Sequence, residues 1–171
     1  VLVFTAPGVP MIFQGQEFLE WGSWRDNTPL DWQKKTTYSG IWDLYQALIR
    51  LRRNWLDNTR GLRGQHVNVY HVNNADKLIA FHRWQDGGPG DDVIVVVNIA
   101  NTSYTSYTLG FPRAGAWYVR FNSDWTGFGA DFGNMPGYDT SAGRAIWGNT
   151  DGLPFAGNIG IGPYSAIVLS Q

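Results

Sequence analysis

The sequence predicts a mainly β protein, in which an antiparallel Greek-key β-sandwich over residues 64–171 follows a strand, a loop and a helix over residues 1–63. Three observations predict this arrangement. From His66 onward, short β-type runs recur about every 8–12 residues, separated by Gly, Pro and Asn. Before that point, residues 41–55 carry apolar side chains at the period of an amphipathic helix. The chain itself opens with a continuous apolar run.

The first element is predicted to be a strand. Val1–Thr5 and Met11–Phe13 are short apolar runs, and the turn-forming residues 6–10 separate them. An apolar run without alternation is typical of a strand covered on both faces, as in a parallel sheet. The run lacks an initial Met and the charged segment of a signal peptide. We therefore expect that the sequence begins inside a strand and that the chain is a fragment of a longer polypeptide.

The helix of the first part is predicted to begin near Ile41. Ser39 is the expected N-cap, and arginines near the C-terminal end suit the negative end of the helix dipole. The apolar side chains on one helical face are Ile41, Leu44, Tyr45, Leu48, Ile49 and Trp55. Residues 58–64 are predicted to be a linker.

The second part is predicted to be all β. The expected strands are His66–Val72, Lys77–Trp84, Asp92–Ile99, Tyr104–Leu109, Ala116–Phe121, Asn158–Ile161 and Tyr164–Leu169. Asn73-Asn74 suits a hairpin turn, and Asp92–Ile99 suits a central strand buried on both faces. We expect Trp117, Val119 and Phe121 to share one face of their strand. Residues 123–150 are predicted to be long loops, in which two short strands could form.

Composition excludes several function classes. A net charge of −1 without a basic run argues against nucleic-acid binding, and 43% hydrophobic residues exclude intrinsic disorder. The longest apolar stretch, Val93–Val97, is far shorter than the roughly 20 residues of a membrane helix. The absence of Cys excludes disulfides and thiol nucleophiles. Nine Trp in a Gly-rich, weakly charged chain are typical of a β-rich protein that stacks against sugars or other flat polar ligands.

The sequence resembles the C-terminal part of α-amylase-type glycoside hydrolases (family 13), and within them glucan branching enzymes. The segments that carry the resemblance are Phe4–Phe18, Trp24–Trp32, Leu78–Arg83, Val93–Asn98, Phe121–Asp124 and Gly162–Ala166. The resemblance implies that residues 1–63 are the last strand, loop and helix of a catalytic (β/α)8 barrel. It also implies that residues 64–171 are the family's C-terminal all-β domain.

The resemblance further implies an α-glucan-active parent. A branching enzyme cleaves an α-1,4 bond and forms an α-1,6 bond through a covalent glycosyl intermediate. An α-amylase-type hydrolase and a non-catalytic glucan-binding or structural module remain open as alternatives. Retaining chemistry requires two carboxylates about 5–5.5 Å apart. The family carries its catalytic carboxylates on barrel strands that would precede Val1, so this chain alone is predicted to be inactive.

The loop Gln14–Trp32 is the main candidate for substrate binding. Trp21 and Trp24 are expected to stack on sugar rings or to pack the loop against the sandwich, while packing is favoured for Trp32. Arg25 and Asp26 are expected to hydrogen-bond sugar hydroxyls. Gln16 and Glu17 complete the predicted substrate-binding set. For Glu17, a carboxylate hydrogen-bonded at the barrel rim is favoured over a direct catalytic role.

Aromatic residues of the sandwich form a second candidate surface. Trp84 and Trp117 occupy strand positions, for which core packing is favoured. The others could form a stacking platform or pack under loops: Trp125, Phe128, Phe132, Tyr138 and Trp147. The three His have no metal-ligand spacing, and Asp91-Asp92 is interpreted as a solvated turn, so we predict no metal and no cofactor.

The expected partners follow from these interpretations. The ligand is expected to be an α-glucan or a maltooligosaccharide, and neither nucleic acid nor membrane is expected to bind. Val1–Phe13 is expected to pair with the missing N-terminal barrel portion or with another chain, because a lone parallel strand leaves its edges unpaired. The resemblance to branching enzymes favours a cytoplasmic over a secreted location.

Overall fold

The computed structural model describes residues 1–135, 137–145 and 148–171. Its helices are α1 (Leu2–Thr5), α2 (Lys34–Thr37) and α3 (Ser39–Arg52), with single 3-10 turns at Gln16–Phe18 and Arg60–Arg63. Its strands are β1 (His66–Asn73), β2 (Leu78–Trp84), β3 (Val93–Asn98), β4 (Tyr104–Phe111), β5 (Gly115–Asn122), β6 (Thr140–Arg144), β7 (Phe155–Ile161) and β8 (Ala166–Ser170). The mainly β fold class is thereby confirmed.

The eight strands form one curled sheet in the order β1-β2-β3-β8-β5-β6-β7-β4. Every strand pairing in the described part of the chain is antiparallel. Strand β3 lies between β2 and β8, and Val93–Val96 are completely buried. This confirms the predicted central strand, whose apolar run suits burial on both faces.

The curl of the sheet encloses an inner core. Alternate residues of the strands point into it because successive side chains leave a strand on opposite faces. Its buried members are Leu78, Ala80, Ile94, Val96, Leu109, Phe111, Trp117, Ala142, Ile159, Ile161, Ile167 and Leu169. The ring centroids of Phe111 and Trp117 are 5.1 Å apart. Burial of each larger apolar side chain contributes about 1.5–3 kcal/mol.

An outer core lies between the other face of the sheet and the N-terminal segment. The side chains of Phe81, Val95 and Val168 point to this side of the sheet. They pack in one cluster with Leu48 of α3 and with Leu62. The remaining buried members are Phe4, Val93, Phe121 and Phe128. The outer core therefore fixes α3, and with it the loop that precedes the helix, against the sheet.

Strand β5 departs from the predicted alternation. Trp117 lies in the inner core and Val119 packs against it, but Phe121 lies in the outer core. The register of β5 with β8 shifts between Val119 and Phe121. A bulge adds one residue to one strand, and a shift by one residue moves every later side chain to the opposite face. The prediction of one shared face was wrong for this reason.

The expected strand at the start of the chain is absent. Residues Leu2–Thr5 form a single helical turn, in which Thr5 N donates to Val1 O at 3.1 Å and Ala6 N to Leu2 O at 2.9 Å. Met11–Phe13 form no strand either. No described strand lies beside these residues to pair with them. The amides of Phe4, Thr5 and Ala6 therefore find acceptors within this turn, at the carbonyls of Val1 and Leu2.

Two further expectations near α3 are corrected. Ser39 is the first residue of the helix, Tyr38 occupies the N-cap, and no side chain caps this end. Residues 58–64 are not a free linker, because they include the 3-10 turn Arg60–Arg63 with Leu62 fully buried. A Cβ on Gly61 would lie 2.2 Å from Asp91 O, so only glycine allows this close approach to the sheet.

Arg83 of β2 connects the N-terminal segment to the sheet. Its side chain is completely buried. The guanidinium donates to four backbone carbonyls: Thr5, Leu62 at 3.2 Å, Gly64 at 2.6 Å and His66 at 3.1 Å. Burial, and secondarily the charge of Arg52, lowers the pKa of Arg83 to about 10. The side chain thus joins α1, the 3-10 turn Arg60–Arg63 and the start of β1 to strand β2.

Asp91 and Asp92 are both buried, so the interpretation as a solvated turn was wrong. Asp91 accepts hydrogen bonds from the backbone of Gln85, Asp86 and Gly87. Asp92 accepts from Arg113 at 2.6 Å and from Gly88 N at 2.9 Å, and its Oδ1 lies 2.9 Å from His82 Nε2. The two carboxylates act as acceptors for this turn, so both are satisfied without solvent.

Candidate functional site

The loop between residues 14 and 32 begins with a tight reversal. Glu20 N donates to Gly15 O at 2.9 Å, and Gly15 and Leu19 both adopt left-handed backbone angles. A Cβ on Gly15 would lie 2.4 Å from the Cβ of Glu20. Phe18 is fully buried, and its ring centroid lies 5.2 Å from that of Trp32. The reversal thus anchors one side of the loop while residues 21–29 stay exposed.

Glu20 holds the two ends of the loop together. Its carboxylate accepts hydrogen bonds from Trp21 N at 3.1 Å, Asp31 N at 2.8 Å and Lys34 Nζ at 2.6 Å. The hydrogen bond from Lys34, followed by that from Asp31, lowers the pKa of Glu20. Sequence reasoning missed this residue. The one available signal was that Glu20 is one of only two glutamates in the chain.

The exposed side of the loop forms an open cleft of about 210 Å³, which we call the loop cleft. Trp21, Trp24 and Arg25 of the predicted set line it. Trp21 is 83% exposed and Trp24 is 59% exposed, so neither packs the loop against the sheet. The other lining residues are Phe13, Gln14, Glu20, Gly22, Ser23, Thr28, Pro29 and Leu30. Two exposed indoles beside a guanidinium can stack on a flat ligand and donate hydrogen bonds to its oxygens.

The structure does not bring Gln16, Glu17 and Asp26 to this cleft. Gln16 Oε1 accepts from Phe13 N at 2.9 Å, which supports the turn instead. Asp26 is exposed beside the cleft lining. Glu17 Oε2 is buried and has no hydrogen-bond partner among the described residues, contrary to the expected hydrogen-bonded rim carboxylate. Burial, and secondarily the charge of Glu17, raises the pKa of Tyr45.

The aromatic residues of the second candidate surface divide into two groups. Trp117 lies in the inner core, while Phe128 is buried in the outer core and Phe132 packs against it. Trp84 stacks on His82, with ring centroids 4.4 Å apart. Trp125 and Tyr138 are exposed. Trp32 of the loop, for which packing was predicted, contacts Phe18 but stays largely exposed. Trp147 lies outside the described residues.

The histidines have partners within the protein rather than a metal-binding geometry. His71 lies 2.9 Å from Asp151 through Nδ1 and 3.0 Å from the Tyr107 hydroxyl through Nε2. His66 stacks on Trp84. Among the described residues, no group of three or more His, Asp or Glu could hold a metal ion. In the same part of the chain, no helix is long and apolar enough to span a bilayer.

Known solved structures share this fold. The debranching enzyme from Nostoc punctiforme superposes with a TM-score of 0.60 over 99% of this chain and 29% of its own, at 16% identity. The α-amylase from H. orenii superposes with a TM-score of 0.56 over 98% of this chain and 33% of its own, at 17% identity. At these identities the likeness concerns the fold alone.

Curated relatives named 1,4-alpha-glucan branching enzyme GlgB are more similar in sequence. The protein of Nitrosococcus oceani is 31% identical over 98% of this chain and 22% of its own length. That of Pseudomonas aeruginosa is 26% identical over 88% of this chain and 21% of its own. The chain thus spans about a fifth of the length of these relatives.

The family model described as "Alpha amylase, C-terminal all-beta domain" matches residues 69–171. This range begins within β1 and includes every later strand, and therefore the whole inner core. Since the match covers more than half of the sequence, and since a relative at 31% identity extends it through the N-terminal segment, the chain belongs to the α-amylase family and resembles the C-terminal part of its branching enzymes.

Proposed function

We propose that the chain is the C-terminal part of a 1,4-α-glucan branching enzyme, which cleaves α-1,4 bonds and forms α-1,6 bonds by a retaining mechanism. The observation that carries the proposal is the loop cleft with Trp21 and Trp24 exposed on it. It lies in the part of the chain that the Nitrosococcus oceani relative with that name also contains. The cleft would bind part of the glucan chain by stacking, and Arg25 would donate to sugar hydroxyls.

Residues 1–63 would be the last strand, loop and helix of the catalytic barrel, and residues 64–171 the C-terminal domain. In a barrel of this type, the loops at the C-terminal ends of the strands build the active site. The loop cleft would then form one wall of the substrate groove. Glu20 is the single carboxylate that lines the described cleft, and Lys34 holds it. Since a retaining mechanism needs two carboxylates, the chain alone would have no turnover.

The N-terminal segment would bind the remainder of the barrel. Large apolar side chains on this segment are exposed: Leu2, Val3, Val9, Met11 and Phe13. A row of exposed apolar residues of this kind marks an interaction site. We propose that Val1–Phe13 forms its strand only when neighbouring barrel strands, on the same polypeptide or on another chain, supply backbone partners.

The test measures both binding and turnover of the 171-residue chain with maltoheptaose. We expect binding without any change in chain length or branching. Trp24→Ala should weaken binding by about 2–10-fold, the range of one aromatic contact. Its melting temperature should stay close to that of the wild type, because the indole is 59% exposed. Trp55→Ala is the matched control, since Trp55 is 64% exposed but lies outside the loop cleft.

Two results would contradict the proposal. Turnover by the isolated chain would contradict the absence of catalytic carboxylates. A large fall in melting temperature for Trp24→Ala with unchanged affinity would assign Trp24 to packing.

Analysis of the product made by the longer polypeptide then distinguishes branching from hydrolysis, because a branching enzyme forms new α-1,6 bonds whereas a hydrolase only shortens the chain. A polypeptide that binds glucan and catalyses neither reaction would be a non-catalytic module.

A further inference from the structure

A second cleft, separate from the loop cleft, lies between α3 and β5. It has a volume of about 560 Å³, compared with about 210 Å³ for the loop cleft, and the two share no lining residue. One wall consists of Asp43, Gln46, Ala47 and Arg50 of the helix. The other wall consists of residues 119–122 of β5, with Trp125 and Phe128 beyond them. We call it the helix cleft.

The helix wall presents a regular row of side chains. Residues 43, 46, 47 and 50 are spaced by three, one and three positions, so they lie on one face of α3 over two turns. At a rise of about 1.5 Å per residue, the row extends about 10 Å along the cleft. Asp43 and Arg50 are exposed at its two ends, and Gln46 lies half-buried between them. The rim therefore offers an acceptor, an amide and a donor in series.

The floor of the cleft is apolar. Phe121 and Phe128 belong to the outer core, and their ring centroids are 5.7 Å apart. The bulge in β5 contributes directly to this floor, because it moves Phe121 to this side of the sheet. An apolar floor with a few polar groups at the rim is the usual composition of a small-molecule site.

Trp125 is fixed although it is 52% exposed. Its ring stands perpendicular to Phe128, with centroids 5.0 Å apart. A Cβ on Gly127 would lie 2.3 Å from Cη2 of the indole, so the ring rests directly on the glycine backbone. The indole is thus supported on one side and open on the other. A ring held in place before binding loses little conformational freedom when a ligand stacks on it.

The loop that carries Trp125 is also fixed by side-chain hydrogen bonds. Asn122 accepts from Asp124 N and donates to Met135 O, both at 2.9 Å. Asp124 in turn accepts from Gly133 N and Met135 N, again both at 2.9 Å. These contacts hold the loop to the end of β5, so the position of Trp125 relative to α3 is set by the fold.

The charges of the rim indicate a neutral ligand. The lining carries charges of both signs, namely Asp43 on the helix with Arg50 and Arg120. Arg120 Nε already donates to Ser170 Oγ at 2.9 Å. Asp43 would repel an anion, and the two arginines would repel a cation, whereas hydroxyl groups can bond to both. A hydroxyl-rich ligand with a flat apolar face fits an indole, an apolar floor and a mixed polar rim together. We propose that the helix cleft is a second carbohydrate-binding site, with Trp125 as the stacking platform. That the sugar is an α-glucan rests on the proposed function.

The test is a titration of the 171-residue chain with maltoheptaose, followed through the indole N–H signals in a two-dimensional NMR spectrum. Trp125→Ala identifies the Trp125 signal, and Trp24→Ala identifies that of the loop cleft. We expect both signals to shift in the wild-type chain. In Trp125→Ala, the Trp24 signal should still shift, with the same affinity as in the wild type. In Trp24→Ala, the Trp125 signal should likewise shift with unchanged affinity. A shift of the Trp24 signal alone would overturn the second site and leave the proposed function standing.

Two polar variants keep the test decisive if Trp125→Ala does not fold. Gln46 is half-buried and Arg50 is exposed on α3, and alanine is the most favourable residue inside a helix, so Gln46→Ala and Arg50→Ala should keep the helix folded. Arg50→Ala should weaken binding at the helix cleft about threefold or more, the effect of one hydrogen bond, without altering the Trp24 response. An unchanged affinity in both polar variants would overturn the assignment of the rim. Equal binding of cellohexaose at the helix cleft would overturn the assignment to α-glucan.

Discussion

Replacement of Arg83 by methionine tests whether one buried cation holds the N-terminal segment on the sheet. Methionine fills a similar volume but donates no hydrogen bond. Three of the four hydrogen bonds of Arg83 are completely buried, namely those to Thr5, Leu62 and Gly64. Each carbonyl left without a donor costs about 1–2 kcal/mol, so Arg83→Met should lower the free energy of unfolding by about 3–6 kcal/mol.

Urea unfolding followed by tryptophan fluorescence measures this loss, and hydrogen exchange localises it. Protection should fall first in residues 60–66, whose carbonyls lose their donor, while β3 and β8 stay protected. Arg83→Lys should lie between the wild type and Arg83→Met, because an ammonium has three donors but cannot span four carbonyls. A loss below about 1 kcal/mol for Arg83→Met would refute the reasoning, since it would mean that water or backbone shifts satisfy these carbonyls.

Two further predictions concern carboxylates. Burial alone would raise the pKa of Asp92, but hydrogen bonds from His82, Gly88 and Arg113 outweigh it, and the pKa is lowered. The stability that this group contributes is therefore present above its unfolded pKa of about 4 and is lost as the pH falls through the folded value. Asp92→Asn should lower the free energy of unfolding at pH 7 by about 2 kcal/mol. It should also reduce the loss of stability at acidic pH, measured as the urea midpoint of unfolding at a series of pH values. An equal loss of stability at acidic pH in both proteins would contradict this. Glu20→Gln should weaken maltoheptaose binding at the loop cleft, because the hydrogen bond to Lys34 is weakened. Glu17→Gln changes the other glutamate of the chain and should leave the affinity for maltoheptaose, measured by calorimetry, unchanged. Equal effects of the two variants would show that Glu20 has no special role.

The strands of the second part could be predicted because their pattern is local. In β3, consecutive β-branched residues indicate burial on both faces, whatever the neighbouring strands are. The bulge in β5 could not be predicted, because it arises from the pairing of β5 with β8, some 45 residues later in the chain. The start of the chain shows the converse: an apolar run favours a strand, but a strand requires partners, and Leu2–Thr5 forms a helical turn without them.

The candidate site was predictable only in part. Aromatic residues in a polar, Gly-containing loop indicated Trp21 and Trp24, and the structure exposes both on one cleft. That they bind sugar stays a prediction. Glu20 was missed because its partners Asp31 and Lys34 lie 11 and 14 residues away, and their approach depends on the path of the whole loop. The helix cleft depends on how α3 meets β5, which no sequence pattern in either element reveals.

The position of β8 in the sheet has a consequence for the order of folding. Strands β1–β3 and strands β5, β6, β7 and β4 form two groups, and β8 is the strand that joins them. Of the eight strands in the described residues, it is also the last in the sequence. A ribosome that makes the chain from its N-terminus therefore releases both groups before the strand that unites them. Until Ala166–Ser170 emerge, the facing edges of β3 and β5 lie open to any other extended chain, and open strand edges of this kind favour aggregation.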